Sequence, residues 1–151
     1  MANFLDILNK PADTIEKPKP YPIGHYICAV QGPPEYKTIK TKNGEAQKVH
    51  YKLKPLATDV DVDQDALRES GGLARPFPDL QFYLGVTDEE ILANLHRPKE
   101  FVTNVGAYKE GMTARQMLEA PQNHQVKVQL GHRPSEDGTQ IYAEVKRTLP
   151  V

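Results

Sequence analysis

Six lysines fall between residues 36 and 54, at positions 37, 40, 42, 48, 52 and 54, and face a single acid, Glu45. Tyr36 and Tyr51 lie in the same stretch. Ammonium groups beside aromatic rings offer recognition rather than catalysis. Proteins that hold single-stranded nucleic acid combine a basic groove along the phosphates with rings on which bases stack. The candidate nucleic-acid contacts are therefore Lys37, Lys40, Lys42, Lys48, His50, Lys52 and Lys54, with Tyr36 and Tyr142 as stacking faces. Tyr51 falls on the apolar positions of its segment and reads as core. The competing reading is an ordinary solvated hairpin, since edge strands use lysine to block aggregation.

No other constellation carries chemistry. Asp59, Asp61, Asp63 and Asp65 imitate the start of a calcium loop, but a glycine is needed at position six and a glutamate at twelve. Those places hold Gln64 and Ser70. The five histidines, 25, 50, 96, 124 and 132, form no His-x-x-x-His pair and have no second cysteine nearby, so no zinc spacing exists. There is no nucleophile elbow and no phosphate-cradling glycine loop. Cys28, with apolar neighbours in a strand, reads as packing. The expectation is a binding module, not an enzyme, with no catalytic residue, metal or cofactor.

The elements that position the lysines come from period and punctuation. Residues 23–32 alternate as a strand with Tyr26, Cys28 and Val30 on one face. Residues 36–56 read as a hairpin about Asn43-Gly44, a strong two-residue turn signal. Beyond it Val49, Tyr51 and Leu53 alternate with Lys48, His50, Lys52 and Lys54, so the first set faces the core and the second forms a row on the other face. The run TDVDVDQDALRESGG reads as a short helix opened by aspartates and closed by Gly71-Gly72. Residues 80–86 read as a strand. Helices follow from the capping patterns at Thr87–Glu90 and Thr113–Gln116, with another begun by Pro98. Residues 126–130 and 141–145 read as a closing hairpin around the turn PSEDG.

The chain of 151 residues suits one domain with an adequate core. Residues 1–22, with Pro11, Pro18, Pro20 and Pro22, read as an N-terminal Pro-rich arm. Phe4, Leu5, Ile7 and Leu8 make one amphipathic turn after an Asn3 cap. The arm is expected either to lie on its own domain or to dock on a neighbouring subunit, giving a homo-oligomer. Residues 23–151 form the binding domain. A net charge of −1 hides an uneven distribution: residues 1–57 hold nine lysines against five acids, whereas residues 58–100 hold ten acids against four basic residues. That imbalance lowers the expectation of tight duplex binding. With one cysteine, no basic signal start and no apolar run near the length of a membrane span, the expected location is cytoplasmic, the host cytoplasm for a phage-encoded chain, and no membrane partner is expected.

Three stretches carry a resemblance. They are Pro18-Lys-Pro-Tyr-Pro-Ile-Gly-His-Tyr26, Val49-His-Tyr-Lys-Leu53 running into Asp59-Val-Asp-Val-Asp63, and Gly131-His-Arg with Glu136-Asp-Gly138. Together they resemble small proteins of the early DNA-metabolism regions of tailed bacteriophages, some of them similar to phage single-stranded DNA-binding proteins with an OB fold. The resemblance implies a role in DNA replication or recombination and assigns no site residue. The chain departs from the bacterial type in ending LysArgThrLeuProVal rather than in an acidic tail. Recruitment of host replication proteins through such a tail is therefore not expected.

Two readings follow. The expected fold is mainly β with a helical insert, an OB-like five-stranded barrel whose first long loop is supplied by residues 37–48; another antiparallel α+β sheet is the alternative. The expected function is non-specific coating of single-stranded DNA. The rival is a phage interaction or virion-assembly protein that binds protein partners through a sheet edge and the N-terminal arm.

Overall fold

The structure is a computed structural model that describes residues 3–14 and 19–151. It is mainly β: a five-stranded antiparallel sheet of β1 (Gly24–Thr41), β2 (Gly44–Thr58), β3 (Leu80–Gly85), β4 (Gln125–Pro134) and β5 (Ile141–Leu149), in the order β3-β2-β1-β4-β5. Among the described residues five short α-helices accompany it: α1 (Phe4–Leu8), α2 (Gln64–Glu69), α3 (Asp88–Asn94), α4 (His96–Asn104) and α5 (Ala114–Glu119).

The two hairpins form where alternation places them, and the first extends further. The segments at 23–32 and 36–42 are one strand. Register moves from Gln31 opposite Lys52 to Glu35 opposite His50, so β1 absorbs two extra residues around Gly32-Pro33-Pro34. Prolines are tolerated there because a bulge needs no ladder N–H. The turn is Lys42-Asn43, with Thr41 paired to Gly44, and only Gly44 takes a positive φ, +124°. No long loop spans residues 37–48; that stretch is paired strand around a two-residue turn.

Helix ends follow local chemistry. Asp63 caps α2 by accepting the Asp65 and Ala66 N–H groups. Thr113 and Gln116 form a complete capping box on α5. Thr87 accepts the Glu90 N–H, but the Glu90 carboxylate takes the Val86 N–H instead of closing the box. α4 starts at His96, two residues before Pro98.

The core lies on one face of the sheet. Tyr26, Cys28, Val30, Val49, Tyr51, Leu53, Val126, Val128 and Leu130 meet Phe101 and Val102 of α4 and Met117 and Leu118 of α5. The Tyr51 hydroxyl donates to Leu118 O at 2.6 Å, and Tyr26 donates to Pro22 O at 2.7 Å. Edge-on ring contacts join Tyr21, Tyr26 and Phe77, and Tyr51, Phe82 and Phe101. Tyr21 and Pro22, at the end of the Pro-rich stretch, are buried.

The sheet is not closed into a barrel. β3 and β5 run parallel and approach each other, but no register pairs them. α4 reaches both edges: Phe101 meets Phe82 of β3 with ring centroids 5.8 Å apart, and Asn104 Nδ2 donates to Thr148 O of β5 at 3.2 Å. In the N-terminal stretch, Asn3 caps α1 and Ala12–Thr14 form a 3-10 turn despite Pro11. Pro18, part of the expected extended arm, lies outside the described residues.

Candidate nucleic-acid interface

Period two on β2 divides its residues as the pattern requires. Val49, Tyr51 and Leu53 are buried in the core, and Lys52 and Lys54 stand exposed on the other face with Lys48 half-buried beside them. Lys37 of β1 lies directly opposite Lys48, and Glu35 opposite His50. On the other flank, Tyr83 of β3 lies opposite Lys48 and Gln81 opposite His50. Directly opposed side chains share a face. The outward face of β1, β2 and β3 therefore gathers Lys37, Lys48, His50, Lys52, Lys54, Tyr83, Gln81 and Glu35.

Like charges opposite each other destabilise a sheet, so the Lys37–Lys48 pair needs counterweights. Glu35 lies 3.7 Å from Lys37 and 3.3 Å from Lys52, and Lys48 donates to Gln81 Oε1 at 3.0 Å. The hydrogen bond and charge of Lys52 hold the Glu35 carboxyl below the usual carboxylate range. The Lys37, Lys52 and Glu35 side chains are about half exposed, so their ion pairs contribute little to stability. Among the described residues no ion pair reaches Lys54. Lysines that protect an edge belong on an edge strand. At Lys48 β2 is paired on both sides, so edge protection does not account for that lysine, whereas Lys52 and Lys54 lie beyond the end of the β3 ladder at Tyr51.

The expected residues do not all come together. Lys37, Lys48, His50, Lys52 and Lys54 share the face. Tyr36 lies opposite Val49 and so faces the other way, half exposed beside Arg115 and Glu119 of α5. Lys40, opposite Glu45, shares the Tyr36 face by alternation, and Lys42 sits in the turn. Tyr142 is on β5, opposite Arg133, with its hydroxyl donating to Gln140 Oε1 at 2.9 Å. It lines an apolar cleft of about 670 Å³ with Pro20, Tyr21, Pro76, Phe77 and Pro78, apart from the lysine row.

Sequence reasoning missed the ring that does share the face. Tyr83, 42% exposed, stands beside Lys48. It also lines a cleft of about 330 Å³ between β3 and β5, whose walls carry Arg97, Lys146 and Arg147 along with Glu100. Lys146 is held by Glu144. Among the described residues no ion pair reaches Arg97 or Arg147. A basic path thus runs from Lys37 and Lys52 past Tyr83 to Arg97 and Arg147.

His50 shares the face of its row but not its exposure. Alternation predicts an exposed ring, yet its side chain is 9% exposed and both ring nitrogens are buried without a hydrogen bond. Burial first, then Lys37 and Lys48, lower its basicity below that of a free imidazole.

Several acidic groups outside this face have structural partners. Asp61 accepts the His25 N–H at 3.0 Å and meets His25 Nδ1 at 2.6 Å. Asp59 meets Lys127 at 3.0 Å, and Asp65 pairs with Arg68. Among the described residues, no three His, Cys, Asp or Glu side chains are grouped to hold a metal. Burial pushes the Cys28 thiol up to about 12, so it stays protonated and packs as an apolar group. No helix among the described residues is long and apolar enough to cross a membrane. Comparison of the sequence with protein-family models and with curated proteins gives no match.

Proposed function

We propose that the outward face of β1, β2 and β3 binds single-stranded DNA without sequence preference, in the manner of the phage single-stranded DNA-binding proteins the sequence resembles. The observation that carries this reading is Tyr83 set in register beside Lys48 on a central strand, with Lys37 directly opposite. A ring face next to ammonium groups fits a base stacked beside its own phosphate. Lys37, Lys48, Lys52 and Lys54 take phosphates, Tyr83 takes a base, and Arg97 and Arg147 extend the path along the β3–β5 cleft. Phosphate contacts carry no sequence information, which suits a coating role.

The barrel belongs to the same proposal. Joining the parallel edges β3 and β5 turns this sheet into a five-stranded barrel, and OB folds are partly open barrels that bind ligand over their second and third strands. The strand order β3-β2-β1-β4-β5 and the helices between β3 and β4 support it.

A mobility-shift assay with labelled oligo-dT, challenged by the same sequence as duplex, tests the reading. Retention by the single strand and little competition from duplex are expected. Binding to neither overturns it. The rival, a protein-partner role, is favoured by one observation: Phe4, Leu5, Ile7 and Leu8 of α1 are all more than half exposed. It predicts no shift with oligo-dT at any salt.

A further inference from the structure

His50 sits at the middle of the lysine face, with charged or hydrogen-bonding groups facing it from several sides. From β1 it meets Glu35 and Lys37; along β2 its neighbours on the same face are Lys48 and Lys52; from the β3 side it meets Asp79 and Gln81. Its side chain is more than nine-tenths buried. Yet neither ring nitrogen has a hydrogen-bond partner, and Asp79 Oδ2 stops 3.8 Å from Nδ1, beyond bonding distance. Buried polar atoms are almost always satisfied, so two bare nitrogens on one ring call for an explanation. A purely structural residue at this position would be apolar, or would have Asp79 drawn into contact.

We propose that His50 is a phosphate ligand of the bound strand: a phosphate seated between Lys37 and Lys48 accepts Nε2–H, Asp79 closes on Nδ1–H, and the imidazole takes up a proton as the strand binds. The inference rests on the single-strand reading and adds a named contact and a proton to it. The ring needs both N–H groups to serve two acceptors, and only imidazolium carries both. Lys48 leaves Gln81 and Lys37 leaves Glu35 to reach the phosphate, and both are long, solvated side chains.

The sign of the effect follows from the charges that face the ring. In the free protein, burial and the two lysines disfavour imidazolium. A phosphate that neutralises Lys37 and Lys48 removes the second cause and adds an acceptor, so the bound ring holds its proton to higher pH. Affinity then rises as pH falls through the bound ring's titration and levels off below the free ring's. One proton limits the gain to about tenfold per pH unit.

The test is a titration of the full-length protein with oligo-dT between about pH 5 and pH 8, paired with NMR of the histidine ring nitrogens with and without oligo-dT. Expected are tighter binding at lower pH, loss of that dependence in His50→Gln with the salt slope kept, and an upward shift of the His50 ring titration on binding. The NMR arm uses the wild-type chain and stands even where His50→Gln folds poorly. Binding with no pH dependence, an equal pH dependence in His50→Gln, or an unmoved His50 ring overturns the inference and leaves the single-strand reading standing. No salt-sensitive binding at any pH overturns both.

Discussion

Replacing Tyr83 by alanine separates stacking from charge, and Tyr36 supplies the control. The two rings are similarly exposed, 42% and 51%, and both lie in the β3-β2-β1 part of the sheet. They differ in face: Tyr83 stands beside Lys48, and Tyr36 stands over Val49 beside α5. Both rings are about half covered and lie in paired strands, so each substitution costs about 1 kcal/mol of folding stability, to a similar degree in the two variants. A base stacked on a ring contributes roughly 1–3 kcal/mol, so Tyr83→Ala weakens oligo-dT binding by about 5- to 150-fold. No phosphate contact is lost, so the slope of log affinity against log salt stays as in the wild type. Tyr83→Phe keeps the ring and keeps the affinity. Tyr36→Ala leaves affinity unchanged. Fluorescence anisotropy at several salt concentrations measures all four proteins. Equal losses for the two alanine variants, or none for Tyr83→Ala, refute the assignment of the binding face.

Three further outcomes bear on the same structure. His50→Leu removes two unsatisfied buried nitrogens, each costing about 1–3 kcal/mol, so the urea midpoint stays level or rises while the pH dependence of binding is lost. Tyr51→Phe leaves Leu118 O at the end of α5 without its donor and lowers stability by roughly 1–2 kcal/mol, read as a lower midpoint at unchanged slope. The Asp61 carboxyl is held low by the His25 N–H and ring, Asp59 by Lys127, and Asp137, at about 2, by Ser135 and Thr139. Lowered carboxyls stabilise the fold fully above the unfolded value near 3.8 and lose that contribution as pH falls through the folded ones. Urea midpoints therefore fall between about pH 4 and pH 2, and Asp61→Asn flattens the fall.

Local signals carried much of the fold. The alternation of Val49, Tyr51 and Leu53 marks a half-buried strand without reference to anything distant, and the Thr113–Gln116 box is written in four residues. The misses at the turn, which is Lys42-Asn43, and at the unclosed Thr87 box are local and small; the larger ones are non-local or depend on a bulge. Gly32-Pro33-Pro34 reads as a break, yet β1 runs through it because Gln31 and Glu35 re-pair with β2 two residues apart. That bulge sets Glu35 among the lysines, a counter-ion that lies one residue outside the segment singled out for its charge. It also fixes which of Tyr36 and Lys37 faces outward. Tyr83 is in a legible strand, but its place beside Lys48 depends on a pairing between segments more than thirty residues apart and on an irregularity at Gln47 and Lys48. The burial of His50 arises from neighbours on three strands, which its own alternation cannot report. Arg97 of α4 and Arg147 of β5 line one cleft although fifty residues separate them, a proximity set by the packing of α4 against β5.

The central claim is that the lysine face holds phosphates, and the salt dependence of oligo-dT binding tests it most directly. Each phosphate contact on a single strand contributes a slope of about −0.7 in log affinity against log salt. Lys37 and Lys48 share one phosphate and Lys52 takes another, so the triple substitution Lys37→Gln, Lys48→Gln and Lys52→Gln is predicted to flatten the wild-type slope by about 1.4 and to weaken binding equally for every base sequence. A triple variant with wild-type affinity and slope contradicts the account and leaves the row as a solvated sheet face.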